Sequence, residues 1–185
     1  MRFASASKHH PLHSRRRAVR LPFGTQRFLA AFEGLEGGFA IGASIIAGLS
    51  FAGMERPALI AAAIVGLIVN GFNASAVKYS SEHYLDQLDG REKKNTVRAY
   101  FVPAAIEFVS YFVISFIGVL PLLFLESLTL AVAFSVATTL LTLFAAGWWR
   151  GYLLHMSAFK NGLEASLLGG AIIAFGCLAG ILLHT

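Results

Sequence analysis

Few residues in this sequence can do chemistry, and most of those are acids or amides set among apolar neighbours. Glu33 and Glu36 are three residues apart, which on a helix puts them about 60° apart on one face. Gly37, Ala40, Ser44 and Gly48 continue that face with small side chains that leave room beside the carboxylates. Gly34, Gly38 and Gly42 recur every four residues on the other side, a spacing that lets two helices approach closely. Asn70 and Asn73 share a second helix face, and Glu107 stands with Ser110 and Tyr111 on a third. Carboxylate and amide oxygens ligate divalent cations, and a carboxyl inside a membrane can hold an ion or carry a proton. Each group also has a plainer reading. Glu33 and Glu36 suit a helix N-terminus wetted by headgroups, the asparagines suit interhelical hydrogen bonding, and Glu107 suits pairing with a basic group.

The elements that must position these groups are long apolar helices. The chain has 185 residues, of which 56% are hydrophobic and only 14% charged, with a mean hydropathy of +0.67. A soluble domain carries about 25% charged residues, so this chain has too little charge to coat a water-facing surface. Disorder over most of its length is excluded by the same composition, and a disulfide scaffold by the single cysteine, Cys177. The 25 charged residues leave uncharged runs at 37–54, 57–77, 108–125, 127–149 and 165–183. About 20 apolar residues cross a bilayer as a helix, and in lipid the backbone must satisfy its own hydrogen bonds. The expected fold is an all-α integral membrane protein with five transmembrane helices, near 28–54, 57–79, 99–125, 127–149 and 162–183. They follow a disordered basic tail over residues 1–25, and residues 26–185 form one transmembrane domain.

Lysine and arginine set the expected topology. The N-terminal region, the second connection and the fourth hold every basic residue but Arg56, so the N-terminus is expected in the cytoplasm and the C-terminus outside. Trp148 and Trp149, followed by Arg150, suit a helix end at the cytoplasmic interface. The net charge of +5 is thus mainly a topology signal, and without aromatic interleaving or a binding motif it does not point to nucleic acid. The tail lacks the apolar stretch of a secretory signal. Its arginines and serines resemble a transit peptide, but Pro11 and Pro22 interrupt an amphipathic helix, which favours a tail lying near anionic lipid. His9, His10 and His13 read as solvated.

Other polar residues read as structural. Ser135, Thr138, Thr139 and Thr142 form a stripe expected to bond back to their own helix. Glu164 is expected to begin the fifth helix as a dipole partner. The segment 80–98 reads as a solvated connector. No nucleophile, zinc or phosphate-loop motif is present, and His83, His155 and His184 lie at expected helix ends or in connections, so no enzymatic activity is expected.

The segment Glu33-Gly34-Leu35-Glu36-Gly37-Gly38-Phe39-Ala40 resembles the opening of the first helix in the vacuolar iron transporter family. There an Asp-Gly is followed by two residues, a Ser, one residue and Phe-Ala. The family Asp matches Glu33, and the family Ser matches Gly37. The stretch from Pro103-Ala104 to Gly118-Val119-Leu120-Pro121-Leu122 is similar to the family's third helix. Residues 163–180, with Gly169-Gly170, resemble the closing one. The second helix departs: if Tyr79 matches the family tyrosine, Asn73-Ala74 replaces a Ser-Met pair and Lys78 replaces a Glu. The thioether ligand is thereby lost and an oxygen-only site remains, one less selective between Mn²⁺ and Fe²⁺. The family's long Glu-rich cytoplasmic metal-binding segment is absent, as in its short members.

The resemblance implies a homodimeric transporter in a plasma (inner) or organellar membrane that moves Fe²⁺ or Mn²⁺ out of the cytoplasm, with protons exchanged. No cofactor is held permanently. Glu33 would be the principal metal ligand, Glu36 a second carboxylate at the mouth, Asn70 or Asn73 a neutral oxygen ligand, and Glu107 the proton carrier. A two-fold axis would bring Glu33 and Glu36 of two copies together as four carboxylates. Two other readings stand beside this one: a non-transporting scaffold or regulator, and a transporter of another cation or small solute. A pathway expects a polar cavity lined by Glu33, Glu36 and Asn73, whereas a scaffold expects those groups paired and tightly packed.

Overall fold

A computed structural model describes residues 24–184. The expected basic tail, with His9, His10 and His13, lies outside the described residues except at its last positions, as does Thr185. Five α-helices run in sequence: α1 Thr25–Phe51, α2 Arg56–Leu88, α3 Val102–Phe124, α4 Leu128–Leu153 and α5 Ala158–Leu183. All five are long and apolar enough to cross a membrane. A single wide π turn, Val97–Phe101, leads directly into α3. Pro103 follows it, with no N–H to offer the preceding turn and a ring that crowds its carbonyl, and the wider turn accommodates both.

The helix ends share a device. After α1, α2 and α4, Gly53, Gly90 and His155 take positive φ values of 77°, 65° and 54°. The next residue then donates its N–H five residues back: Met54 to Leu49, Arg91 to Asp86 and Met156 to Gly151. This left-handed cap satisfies carbonyls that the helix end would otherwise leave orphaned. Two of its three sites use glycine, for which a positive φ carries no Cβ penalty.

The first helix is central and touches each of the other four. Its glycines seat α3 as the four-residue spacing leads one to expect. A Cβ on Gly38 would strike Ser115 Oγ and the Tyr111 carbonyl of α3, whereas one on Gly42 would lie 3.0 Å from Leu67 of α2 and 3.7 Å from Ser115. On the opposite face, room remains beside Glu36 at Gly37 and Ala40. Further along, that face packs against α5: Ser44 Oγ donates to the Ile172 carbonyl at 3.0 Å, and Gly48 lies against Gly176 and Gly180 so closely that a Cβ on Gly180 would overlap the Gly48 carbonyl. Without a hydrophobic drive between helices in lipid, such backbone contact is the main source of adhesion. Around this centre, α2, α4 and α5 turn large apolar side chains outward, among them Val69, Phe72, Leu141, Leu167 and Phe175. That surface suits acyl chains and not water.

Two helix boundaries differ from the sequence reading in ways that matter. The second helix runs nine residues beyond 79, to Leu88, so much of the expected connector is helical. At 33 residues it is about 50 Å long, more than a bilayer core needs, and its last turns hold polar side chains. The fifth helix starts at Ala158, so Glu164 sits in its second turn and not at its beginning. The α4 hydroxyl stripe is also mixed: Thr142 bonds back to the Thr138 carbonyl at 2.8 Å, but Ser135 reaches across to the Gly118 carbonyl of α3 at 2.7 Å.

Candidate functional site

The polar groups gather at the end of the bundle where α1, α3 and α5 start and α2 and α4 finish. Close packing puts them there. A Cβ on Gly34 would collide with the Glu107 carbonyl and lie 3.0 Å from Ser110, so the turn of α1 that carries Glu33 rests on the turn of α3 that carries Glu107. On α2, Gly71 meets the Tyr111 ring, with a Cβ placed 2.9 Å from it. That contact brings Asn73 and Lys78, further along α2, to the same region.

A cavity of about 490 Å³ opens between these three helices, lined by Glu33, Asn73, Ala74, Val77, Lys78, Ser81, Glu82 and Glu107. The Lys78 ammonium sits among the acids. It pairs with Glu33 of α1 and, one turn along its own helix, with Glu82 at 3.2 Å. Gln26 donates to the same Glu82 carboxylate. Lys78 is 9% exposed, against 42% for Glu33 and 24% for Glu82, so the cation lies inside and its acids toward the opening. Glu107 is buried, and its Oε2 has no hydrogen-bond partner, nor does the Tyr111 hydroxyl one turn further along α3.

The residues picked out from the sequence are divided by the fold. Glu33, Asn73 and Glu107 share the cavity. Glu36, although only three residues from Glu33, turns the other way and accepts a hydrogen bond from Arg150 Nη1 of α4 at 2.7 Å. It borders a separate, smaller cavity of about 190 Å³ against Leu143, Ala165 and Gly169. Asn70 does not line the main cavity, and its amide donates to the Gly66 carbonyl of its own helix at 2.9 Å. Lys78, Glu82 and Arg150 are the residues that the sequence reading did not single out for the site. The Lys78–Glu82 spacing was the available signal, since i,i+4 opposite charges pair on a helix, but it is only informative once 80–88 is known to be helical. Among the described residues, no three His, Cys, Asp or Glu side chains converge on one point.

Chemically, the cavity offers carboxylate and amide oxygens, an ammonium, and a carboxyl oxygen without a partner, inside a bundle otherwise faced with hydrocarbon. An ionisable cluster of this kind in a membrane domain is a candidate path or binding place for ions. Five apolar helices around it define a multi-pass integral membrane protein. A sequence model of the VIT family, the vacuolar iron transporters, matches residues 83–181, more than half of the chain. The protein belongs to that family, one of membrane metal-ion transporters. The matched stretch takes in Glu107 and Arg150 and begins after Glu33, Glu36, Asn70, Asn73, Lys78 and Glu82. No curated protein and no solved structure matches the chain.

Proposed function

We propose that this protein carries a divalent transition-metal ion, Fe²⁺ or Mn²⁺, out of the cytoplasm through the cavity between α1, α2 and α3, and does so as a homodimer with protons moving in exchange. The observation that carries the reading is the cavity itself. Three carboxyl groups, Glu33, Glu82 and Glu107, and the Asn73 amide line one opening in a bundle whose α2, α4 and α5 turn large apolar side chains outward. Glu33 and Glu82 supply the charge, Asn73 a neutral oxygen, and buried Glu107 the proton-carrying group. An all-oxygen set binds Mn²⁺ and Fe²⁺ without strong preference. A single copy offers few acids at any one point, which supports a site completed by a second copy across a two-fold axis.

A second reading, a scaffold on the same helical frame, is favoured by one specific observation: both α1 acids are already paired, Glu33 with Lys78 and Glu36 with Arg150. Proteoliposomes decide between the two. The transporter reading expects saturable flux of Mn²⁺ and Fe²⁺ over Ca²⁺ and Mg²⁺, with a matching change in luminal pH. A scaffold gives flux no greater than empty vesicles for every ion.

A further inference from the structure

We propose that Lys78 is a tethered competitor for the transported ion: its ammonium holds the place between Glu33 and Glu82 that a divalent cation takes, and swings to the idle Glu107 oxygen when the ion arrives. This rests on the transport reading above and adds the residue that sets affinity. The geometry carries it in three parts. The ammonium is bound by two carboxylates at once, on α1 and on α2, which is the role a metal ion would fill. It lies on the inner side of those acids, as its lower exposure shows, so an ion entering from the opening meets Glu33 and Glu82 before it meets Lys78. The displaced charge has a destination, because Glu107 lines the same cavity and keeps a buried oxygen without a partner. A carboxyl oxygen accepts a hydrogen bond from an ammonium. A lysine is suited to it, since its ammonium is a point charge on a flexible four-carbon stem.

The test is Mn²⁺ binding to the purified full-length protein in nanodiscs, read from the loss of the free-ion paramagnetic signal. Lys78→Met removes the competitor and is expected to tighten Mn²⁺ binding by at least about tenfold, a modest fraction of a unit charge acting at contact distance. Lys78→Gln is the second form, chosen for its wettable side chain should the methionine fail to fold beside two acids. Lys78→Arg keeps the charge and is expected to tighten Mn²⁺ binding less than Lys78→Gln does. Glu107→Ala removes the landing place and is expected to weaken Mn²⁺ binding by a larger factor in the wild-type background than in the Lys78→Gln background; equal factors in the two would contradict the hand-over. Wild-type protein that binds Mn²⁺ with no tightening in Lys78→Gln overturns this inference and leaves the transport reading standing. If no variant binds any divalent ion, both fall together. If Lys78→Gln binds where wild type does not, Lys78 is a block and the competition is upheld.

Discussion

The Glu36 carboxylate on α1 and the Arg150 guanidinium in the last turn of α4, 114 residues apart in sequence, meet at 2.7 Å. Each is roughly three-quarters buried, and the pair ties the central helix to α4 beside the smaller cavity. It also separates Glu36 from the opening that Glu33 faces. Two acids that share a helix face in sequence therefore have different surroundings, one paired with α4 and one lining the larger cavity.

Removing one partner of a part-buried pair leaves the other charge without compensation, which is worse than removing both. Arg150→Ala is expected to cost about 1–3 kcal/mol, and the double variant Arg150→Ala with Glu36→Gln to recover part of that loss. Thermal unfolding in detergent checks it. Equal loss in the single and double variants would show that the pair does not clasp the helices. Mn²⁺ flux by Glu36→Gln should remain close to wild type.

Backbone contact between α1 and α5 gives a second expectation. Gly180→Ala pushes a methyl group into the Gly48 carbonyl and is expected to destabilise by about 1–3 kcal/mol. Gly170→Ala on the same helix places its Cβ at an ordinary 3.7 Å from Leu140, and is expected to be neutral or slightly stabilising by helix propensity. Similar melting temperatures for the two variants would contradict the close approach.

The cap after α4 uses a residue unsuited to it. His155 holds a φ of 54°, where glycine is at ease and a side chain is not. Replacing it by glycine is expected to stabilise the protein by about 0.5–1 kcal/mol, whereas Gly90→Ala, at the equivalent place after α2, is expected to destabilise it. Both are read from unfolding midpoints.

Outside the membrane, His83 holds Glu92 at 2.9 Å across the turn that follows α2. Hydrogen bonds from His83 and Gln87 pull the Glu92 carboxyl below its ordinary value of 4.5. A carboxyl depressed on folding adds stability above its unfolded value, and that contribution disappears as the pH falls through its folded value. The difference in melting temperature between wild type and Glu92→Gln should therefore be present at neutral pH and shrink below about pH 4.5. A difference that grows on acidification would reverse the sign of the argument.

Much of the fold was legible because in lipid the pattern of charge is the pattern of helices. The uncharged runs at 37–54 and 127–149 fall inside α1 and α4 apart from their end residues, and the spacing of Gly34, Gly38 and Gly42 marked a face of close helix approach. What charge could not mark was a helix that continues out of the apolar layer, so 80–88 read as a connector. The site was half legible. Glu33, Asn73 and Glu107 converge because glycines at 34 and 71 let three helices touch. Glu36 and Asn70 do not, because helical spacing tells which residues share a face and not which neighbour that face meets. Arg150 and Lys78 were counted for topology, where any basic residue would serve, and Glu36 and Glu33, with which they pair, lie on another helix.

The central claim is that the cavity on Glu33, Asn73 and Glu107 conducts a divalent ion, and it is tested most directly by Mn²⁺ flux into proteoliposomes carrying wild type or Glu33→Gln. The account predicts flux in the wild type, reduced to the level of empty vesicles in a Glu33→Gln protein that elutes and melts as a folded species. Undiminished flux in that variant would contradict it.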